Sequence, residues 1–353
     1  MRSADDFVRF VHRDPQAEVL VVSNTWPEPD RPVYGIFVQR QIESLQRAGV
    51  RFDVLYPRGY AHGAAYAIAG AKLALSTIGW RGRYRLVHAH GAEAAFAARC
   101  HVGTPMIVSY LGDDVLGDRD EHGNLTRDAR VRAPIVRAHS QLFDAVISKS
   151  RAVYDALPPR AQRRSVVIPN GVDRTLFRPV DRAEARSSLG WGDEAVALFA
   201  ATKPGSPGKR RWLAQAACDA AGVRLVVSAD TAPREMPVLM GAADCLLVTS
   251  AVEGSPNVVK EALQCNLPVV ATAVGDIPER LEGVTPSWIC PPDVQLFAAA
   301  LRECIAIGRR SDGRDVTADL DENRVAERIL DLYQHVARLT AGATRSATVA
   351  DRR

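Results

Sequence analysis

The chain has 353 residues, a length that suits two domains of ordinary size better than one. Its 47% hydrophobic and 24% charged residues exclude a disordered or fibrous class. A net charge of +4, from 45 basic and 41 acidic residues, supplies no domain-wide positive field for nucleic acid.

Met1 to Asp14 is charged and lacks the apolar centre of a secretion signal, so the cytoplasm is the expected location. Short β-rich runs then alternate with helix-patterned segments: Val19 to Val22, Phe52 to Tyr56, Leu86 to Ala89, Met106 to Tyr110, Ala145 to Ser148 and Val166 to Ile168. Such alternation predicts a parallel, doubly wound sheet. Between the second and third runs, Ala61 to Gly79 owes its hydrophobicity to alanine and contains His62 and Lys72, which makes it a poor membrane span. It reads as a half-buried helix, with a shallow interfacial contact helped by Lys72, Arg81, Arg83 and Arg85 as the sharper alternative.

Pro169-Asn170-Gly171-Val172-Asp173, Arg178-Pro179 and the charged stretch to Gly192 have the composition of a domain boundary, placed near residue 178. A second strand set follows at Ala195 to Ala200, Leu225 to Ser228, Cys245 to Thr249, Val269 to Thr272 and Trp288 to Cys290. The domains expected are therefore 1–178 and 179–321. Val325, Ile329, Leu332 and Val336 give a closing helix over about 322–340 an apolar stripe, and the tail 341–353 is expected to be disordered.

Several chemistries are disfavoured. No Gly-x-Gly-x-x-Gly follows the first strand, where the residues are Ser23-Asn24-Thr25-Trp26-Pro27, so nicotinamide and flavin enzymes do not fit. Gly205-Ser206-Pro207-Gly208-Lys209-Arg210 has the wrong spacing for a P-loop. The six cysteines (Cys100, Cys218, Cys245, Cys265, Cys290 and Cys304) stand singly, as buried thiols in a reducing compartment do. His88 and His90 share one strand face without a third ligand, so they are read as cleft-lining or strand-end residues and not as a metal site. The arginines beside Pro158-Pro159 and around Ser311-Asp312-Gly313 suit solvated loops.

The sharpest segment is Glu253-Gly254-Ser255-Pro256-Asn257-Val258-Val259-Lys260-Glu261-Ala262-Leu263. Gly254 allows a tight turn, Ser255 is read as an N-cap and Pro256 as the first helical residue. Val258, Val259, Ala262 and Leu263 form a buried stripe, leaving Asn257 and Glu261 on another face about 6 Å apart along the axis. A helix start at the carboxyl end of a parallel strand favours anions, and a carboxylate one turn deeper suits ribose hydroxyls.

This run, with Cys265-Asn266-Leu267-Pro268-Val269-Val270 and Val274-Gly275-Asp276, resembles the retaining GT-B glycosyltransferases of family 4, also called group 1. The resemblance extends to Val167 through Asp173, Phe177-Arg178-Pro179, Gly35-Ile36-Phe37-Val38 and Val87-His88-Ala89-His90-Gly91, and covers most of residues 18 to 340. Its wording is closest to enzymes of bacterial polysaccharide assembly, of the teichuronic-acid glycosyltransferase type.

The resemblance implies two Rossmann-like domains facing across a cleft, an N-terminal acceptor domain, a C-terminal donor domain and a final helix crossing back. It implies that Glu253 and the backbone of Gly254, Ser255, Pro256, Asn257 and Val258 hold the donor sugar, and that Glu261 holds the ribose. Lys209 takes the place of the family's phosphate-binding lysine. Lys203 stands near its usual arginine, with Arg210 as a substitute guanidinium. In Ser109-Tyr110-Leu111-Gly112-Asp113-Asp114, Leu111 replaces a common histidine, so either Asp113 or Asp114 takes over its polar role or the sugar is handled differently, and an Asp-rich turn closing the strand is the plain alternative. Loops around Gly35 and Asp113, with His90, form the acceptor side.

The activity implied is metal-independent, retaining transfer from a UDP- or GDP-linked sugar to a hydroxyl of a glycan, lipid-linked or small-molecule acceptor in cell-surface polysaccharide or glycoconjugate synthesis. No cofactor is expected beyond the nucleotide-diphosphate sugar as co-substrate, and no nucleic-acid partner. The location implied is the cytoplasm, with a peripheral contact at the inner membrane face as a variant. The competing readings are a GT-B-fold UDP-sugar 2-epimerase and a catalytically silent nucleotide-sugar-binding protein.

Overall fold

The computed structural model describes residues 7–58, 64–79, 82–201, 205–229 and 231–350, so His62, Arg81 and Lys203 lie outside the described residues. Within them the chain forms two sheets. The first has seven strands: β1 (Val8–His12), β2 (Val19–Ser23), β3 (Phe52–Pro57), β4 (Leu86–His90), β5 (Met106–Tyr110), β6 (Ala145–Ser148) and β7 (Ser165–Val167). Their order is β1-β3-β2-β4-β5-β6-β7. The second has β8 (Val196–Ala200), β9 (Arg224–Ser228), β10 (Cys245–Val248), β11 (Val269–Ala271) and β12 (Ser287–Ile289), in the order β12-β11-β10-β8-β9. Apart from β1 the pairs are parallel.

Strands β2 to β6 are buried along their whole length, which is why they read as unbroken apolar runs instead of alternating ones. Only β1 escaped the sequence reading. Val8–His12 pairs antiparallel with β3 at the sheet edge, where just one residue, Val8, is fully buried. A strand with so little apolar signal is hard to tell from a charged leader.

Helices cover both faces of the first sheet. One layer, containing Ala64–Gly79, Ala92–Ala98 and Arg127–His139, packs through Ala65, Ala69, Ala95, Ala98 and Val136. The other contains Ile36–Arg47 and the closing helix Glu322–Ala350, whose Val325, Ala326, Ile329, Tyr333 and Val336 share a core with Val19, Val21 and Ile107. The chain thus returns to its first sheet at its end. Helical backbone continues to Ala350, past the 340 limit and into the tail expected to be disordered, while 351–353 lie outside the described residues.

The passage between the sheets lies earlier than residue 178. Ile168 belongs to the first core, whereas Val172 and Phe177 already pack in the second. At this crossing Val172 N donates to Leu320 O (2.8 Å) and Glu322 N to Val172 O (3.1 Å), so the outgoing and returning chains run side by side. The proline and charge signal near 178 marks the surface turn before the helix Arg182–Leu189.

Ile329 has no exposed surface and anchors the returning helix. Ile329→Ala should cost about 2–5 kcal/mol of stability, the range for deleting a large buried aliphatic side chain. Urea unfolding followed by circular dichroism measures it.

Candidate active site

In each sheet the strand order reverses beside its first parallel strand, between β2 and β4 in one and between β8 and β10 in the other. Ligands of open α/β sheets bind outside the carboxyl ends of strands at such points. Here the two points face one cleft of about 320 Å³, lined by Thr25, Gly35, Phe37 and Arg40 from the first domain and by Ala200, Lys209, Ser228, Glu253, Asn257 and Glu261 from the second. Phe199, Pro233, Met236, Leu247 and Val248 make one end apolar.

The donor-type loop is built differently from its sequence reading. The helix starts at Asn257 with Pro256 in the capping position, and no side chain caps it. Ser255 turns away from the helix end: its hydroxyl donates to Asp276 Oδ2 (2.8 Å) and accepts from Lys260 Nζ (3.0 Å). Val259, Ala262 and Leu263 are buried as the pattern requires, whereas Val258 lines the cleft. Lys260 is fully buried, a position its charge would not suggest, and its Nζ also donates to Asn170 O (3.1 Å). Burial pushes this ammonium down to about 8, against the opposing charge of Asp276.

Lys209 and Glu253 meet in the cleft, with Nζ 2.5 Å from Oε1, and the Ser250 hydroxyl donates to the same oxygen at 2.7 Å. The loop carrying Lys209 is tied down by Thr249, whose hydroxyl reaches Lys209 O and Arg210 O, and by Ala251 N donating to Gly208 O. Burial opposes the Lys209 charge, but Glu253, Asp113 and Asp118 outweigh it and raise its pKa, so it remains an ammonium.

Arg210 departs from its expected place. It adopts a left-handed backbone (φ 49°) and donates from Nε to Glu121 O at 2.8 Å, so it fastens the second domain to a loop of the first and does not line the cleft. Asp114 departs too. Its carboxylate accepts from the backbone N–H of Leu111, Gly112 and Val115 at 3.0–3.2 Å and shapes the turn into the short helix Asp113–Leu116. Burial, then the neighbouring Asp113 charge, push it up to about 7. Asp113 is the more accessible member of the pair; crowding of its carboxyl by the surrounding chain, then the charges of Asp118 and Glu253, raise its pKa, while Lys209 lowers it.

His90 is buried behind the cleft, its Nε2 3.5 Å from Gln41 Nε2, and burial holds its pKa well below the usual value. His88 is locked between Tyr333 Oη (2.6 Å) and Ser109 Oγ (2.8 Å). Neither histidine lines the cleft, and the described residues contain no group of three or more metal-ligating side chains. Gly35 does line it, at φ 77°, with no room for a side chain: a Cβ there would lie 2.5 Å from Thr25 C.

One cleft residue had no signal in the sequence. Arg40, on the first-domain helix Ile36–Arg47, donates from Nη1 to Glu261 Oε1 at 3.1 Å and lies over the Phe177 ring. Its partner is 221 positions away, so only the apposition of the domains reveals the pair.

These features define a two-domain α/β protein with a polar cleft of the GT-B kind, and comparison with known proteins agrees. Residues 16–176 match the family described as Glycosyltransferase Family 4, and residues 195–306 match Glycosyl transferases group 1. The chain belongs to this group 1, family 4 glycosyltransferase family. D-inositol 3-phosphate glycosyltransferases of Mycobacterium tuberculosis and Mycobacterium bovis are 26% identical over 289 residues, which cover 70% of this chain and 59% of theirs. The match thus spans under two thirds of the length of those relatives. Among solved structures, sucrose-phosphate synthase of Thermosynechococcus elongatus superposes with a TM-score of 0.63 at 18% identity, covering 94% of this chain and 100% of that one. Anabaena HepE in complex with UDP and glucose gives 0.62 at 18% identity, covering 92% and 100%. At such identity these structures establish the GT-B fold.

The Arg40–Glu261 pair makes a pH test. Burial raises the Glu261 pKa and Arg40 is the chief opposing charge, so Arg40→Gln should raise it further. The carboxylate is then lost at a higher pH as the solution is acidified. The Glu261 carboxyl, followed by carbon-13 NMR, should titrate at a higher pH in Arg40→Gln than in the parent, and superimposable titration curves would show that Arg40 does not govern the ionisation of Glu261.

Proposed function

We propose that this chain transfers a sugar from a nucleoside-diphosphate sugar to a hydroxyl acceptor, with retention of anomeric configuration. The observation that carries the reading is the placement of Lys209, Glu253 and Glu261 around one cleft at the facing switch points of the two sheets. Structurally similar Anabaena HepE is known in complex with UDP and with UDP-glucose, which makes a UDP-linked donor the first to test.

In this reading the base enters the apolar end near Met236 and Leu247, and the ribose reaches the open oxygen of Glu261 while Arg40 holds the other. The diphosphate lies against the N-terminus of the helix Asn257–Gln264 and draws Lys209 from Glu253. Exchanging one anionic partner for another keeps the buried ammonium paired throughout. Glu253, so released, accepts from the donor-sugar hydroxyls. As the sugar–phosphate bond breaks, charge accumulates on the diphosphate, and the fixed Lys209 ammonium stabilises that state more than it stabilises the bound substrate. The leaving diphosphate takes the acceptor proton on the same face, which gives retention. Asp113, whose charge acts on Lys209, takes the polar role of the histidine that Leu111 replaces. The acceptor is a hydroxyl of a glycan, a lipid-linked intermediate or a small molecule, in cell-surface polysaccharide or glycoconjugate synthesis.

Lys209→Ala should therefore lower kcat by about 2.7–4 kcal/mol of transition-state stabilisation, the size of losing one oxyanion donor, with a smaller change in KM. A panel of nucleotide sugars screened by thermal unfolding identifies the donor for that assay, since saturation at 100 times Kd adds about 2.7 kcal/mol. Wild-type turnover in Lys209→Ala would remove the leaving-group role.

The chemistry assigned here runs entirely on side chains and the donor's own diphosphate. Turnover should accordingly persist in excess chelator. Its complete loss, with recovery on adding magnesium or manganese, would overturn the metal-free mechanism.

A further inference from the structure

The three helices Ala64–Gly79, Ala92–Ala98 and Arg127–His139 lie over one face of the first sheet, where they lead into β4, β5 and β6, three neighbouring strands. Their inner faces are alanine-rich and well packed. Their outer faces are not polar. Leu75 is 81% exposed, Val131 64% and Ile135 52%, and Phe96 and Leu142 are also open to solvent. Val131 and Ile135 stand one turn apart, with Leu142 further along the same helical run as it tightens into Ser140–Leu142. The Phe96 ring stacks on His139 at 4.1 Å and makes the apolar surfaces of two helices continuous. Single exposed apolar residues are ordinary, whereas a cluster across adjacent helices marks an interaction surface.

Charge on this face is unbalanced. Its carboxylates, Glu93 and Asp128, both pair with Arg132. Arg127 and Arg130 remain exposed beside Val131 with no carboxylate partner among the described residues, and Lys72 and Arg13 flank the Phe10 ring at the near edge. An occupant must offer apolar matter and negative charge together.

We propose that this outer helical face docks on an anionic lipid surface. Leucine, valine, isoleucine and phenylalanine enter the headgroup boundary while the arginines meet lipid phosphates, the combination by which interfacial helices bind. A second copy of the chain fits less well, because a two-fold contact would bring like-charged arginines together. The surface is a row of helices rather than a groove for a peptide. The helix Arg127–His139 also follows the loop whose Glu121 carbonyl holds Arg210 at the domain junction, so a docked face lies next to the cleft. A hydroxyl acceptor carried on a lipid would then arrive at the first domain without leaving the membrane.

The test is co-sedimentation of the full chain with vesicles of phosphatidylcholine alone and of equal parts phosphatidylcholine and phosphatidylglycerol. Binding is expected to the mixed vesicles only and to weaken with salt. Arg127→Gln/Arg130→Gln should lower the vesicle affinity about tenfold or more, since each juxtamembrane arginine adds about 1 kcal/mol. Val131→Ser/Ile135→Ser should lower it as well. These side chains are exposed, so unchanged thermal unfolding and unchanged UDP binding keep the loss attributable to docking. Arg302→Gln/Arg309→Gln on the second domain should bind as the parent does. Equal vesicle binding by parent and both face variants, or no binding at low salt, would overturn the proposal. So would a dimer in light scattering that the same face variants dissociate, which would make the face a self-interface. Because vesicle binding is read without donor or acceptor, its failure leaves the transferase reading standing.

Discussion

The cleft depends on a close approach of two backbones that contain no side chain at the contact. Gly112, at the end of β5, and Gly254, in the donor-type loop, lie so near that a Cβ on Gly254 would come within 1.9 Å of Leu111 O and one on Gly112 within 2.5 Å of Gly254 Cα. Gly275 closes the contact from behind, where a Cβ would lie 2.5 Å from Gly254 O. Glycine is what permits this spacing. It brings the carboxyl ends of two separate sheets together, so that Arg40 reaches Glu261, Asn170 Nδ2 reaches Asn257 Oδ1 (3.2 Å), and the field of Asp113 acts on Lys209.

Around this contact the protein buries charge in pairs or chains. Lys209 sits on Glu253, and Glu261 sits on Arg40, so the four charged side chains among the described lining residues are paired with one another. Behind the donor-type loop, Arg280 and Ser255 converge on Asp276 Oδ2, and Lys260 completes the chain to Asn170 O. Burial is costly for each group alone and tolerable in such chains. Lys149, fully buried and 3.4 Å from Gln41 Oε1, shows the cost: its pKa falls to about 7, with Lys260 adding to the burial effect.

The family match and the GT-B architecture show that so ordinary a sequence composition carries a glycosyltransferase fold. At 18% identity the similar solved structures convey the chain's path and not its substrates. Departures from the family wording are the more informative positions. Leu111 stands where the family wording commonly has a histidine, Asp114 is consumed by its own turn, and Arg210 is diverted to the opposite domain, which leaves Lys209 and Arg40 as the cations among the described lining residues of the cleft.

The amino-acid sequence by itself determined the strands of both sheets except β1, the helix that carries Glu261, and the family, because hydrophobic periodicity and a contiguous motif are local properties. It also placed Lys209 and Glu253 in separate loops without showing that they touch. Tertiary structure decided the rest. Ser255 reads as a cap on local grounds, yet Asp276 and Lys260 compete for its hydroxyl and win. His90 reads as a cleft residue from its strand position, yet packing against Gln41 sets it behind the wall. Phe177 reads as the end of the first domain, yet its ring is buried in the second core. Arg40 reads as one more polar residue on an amphipathic helix, and its pairing with a carboxylate 221 residues away arises only when two glycines allow the domains to meet.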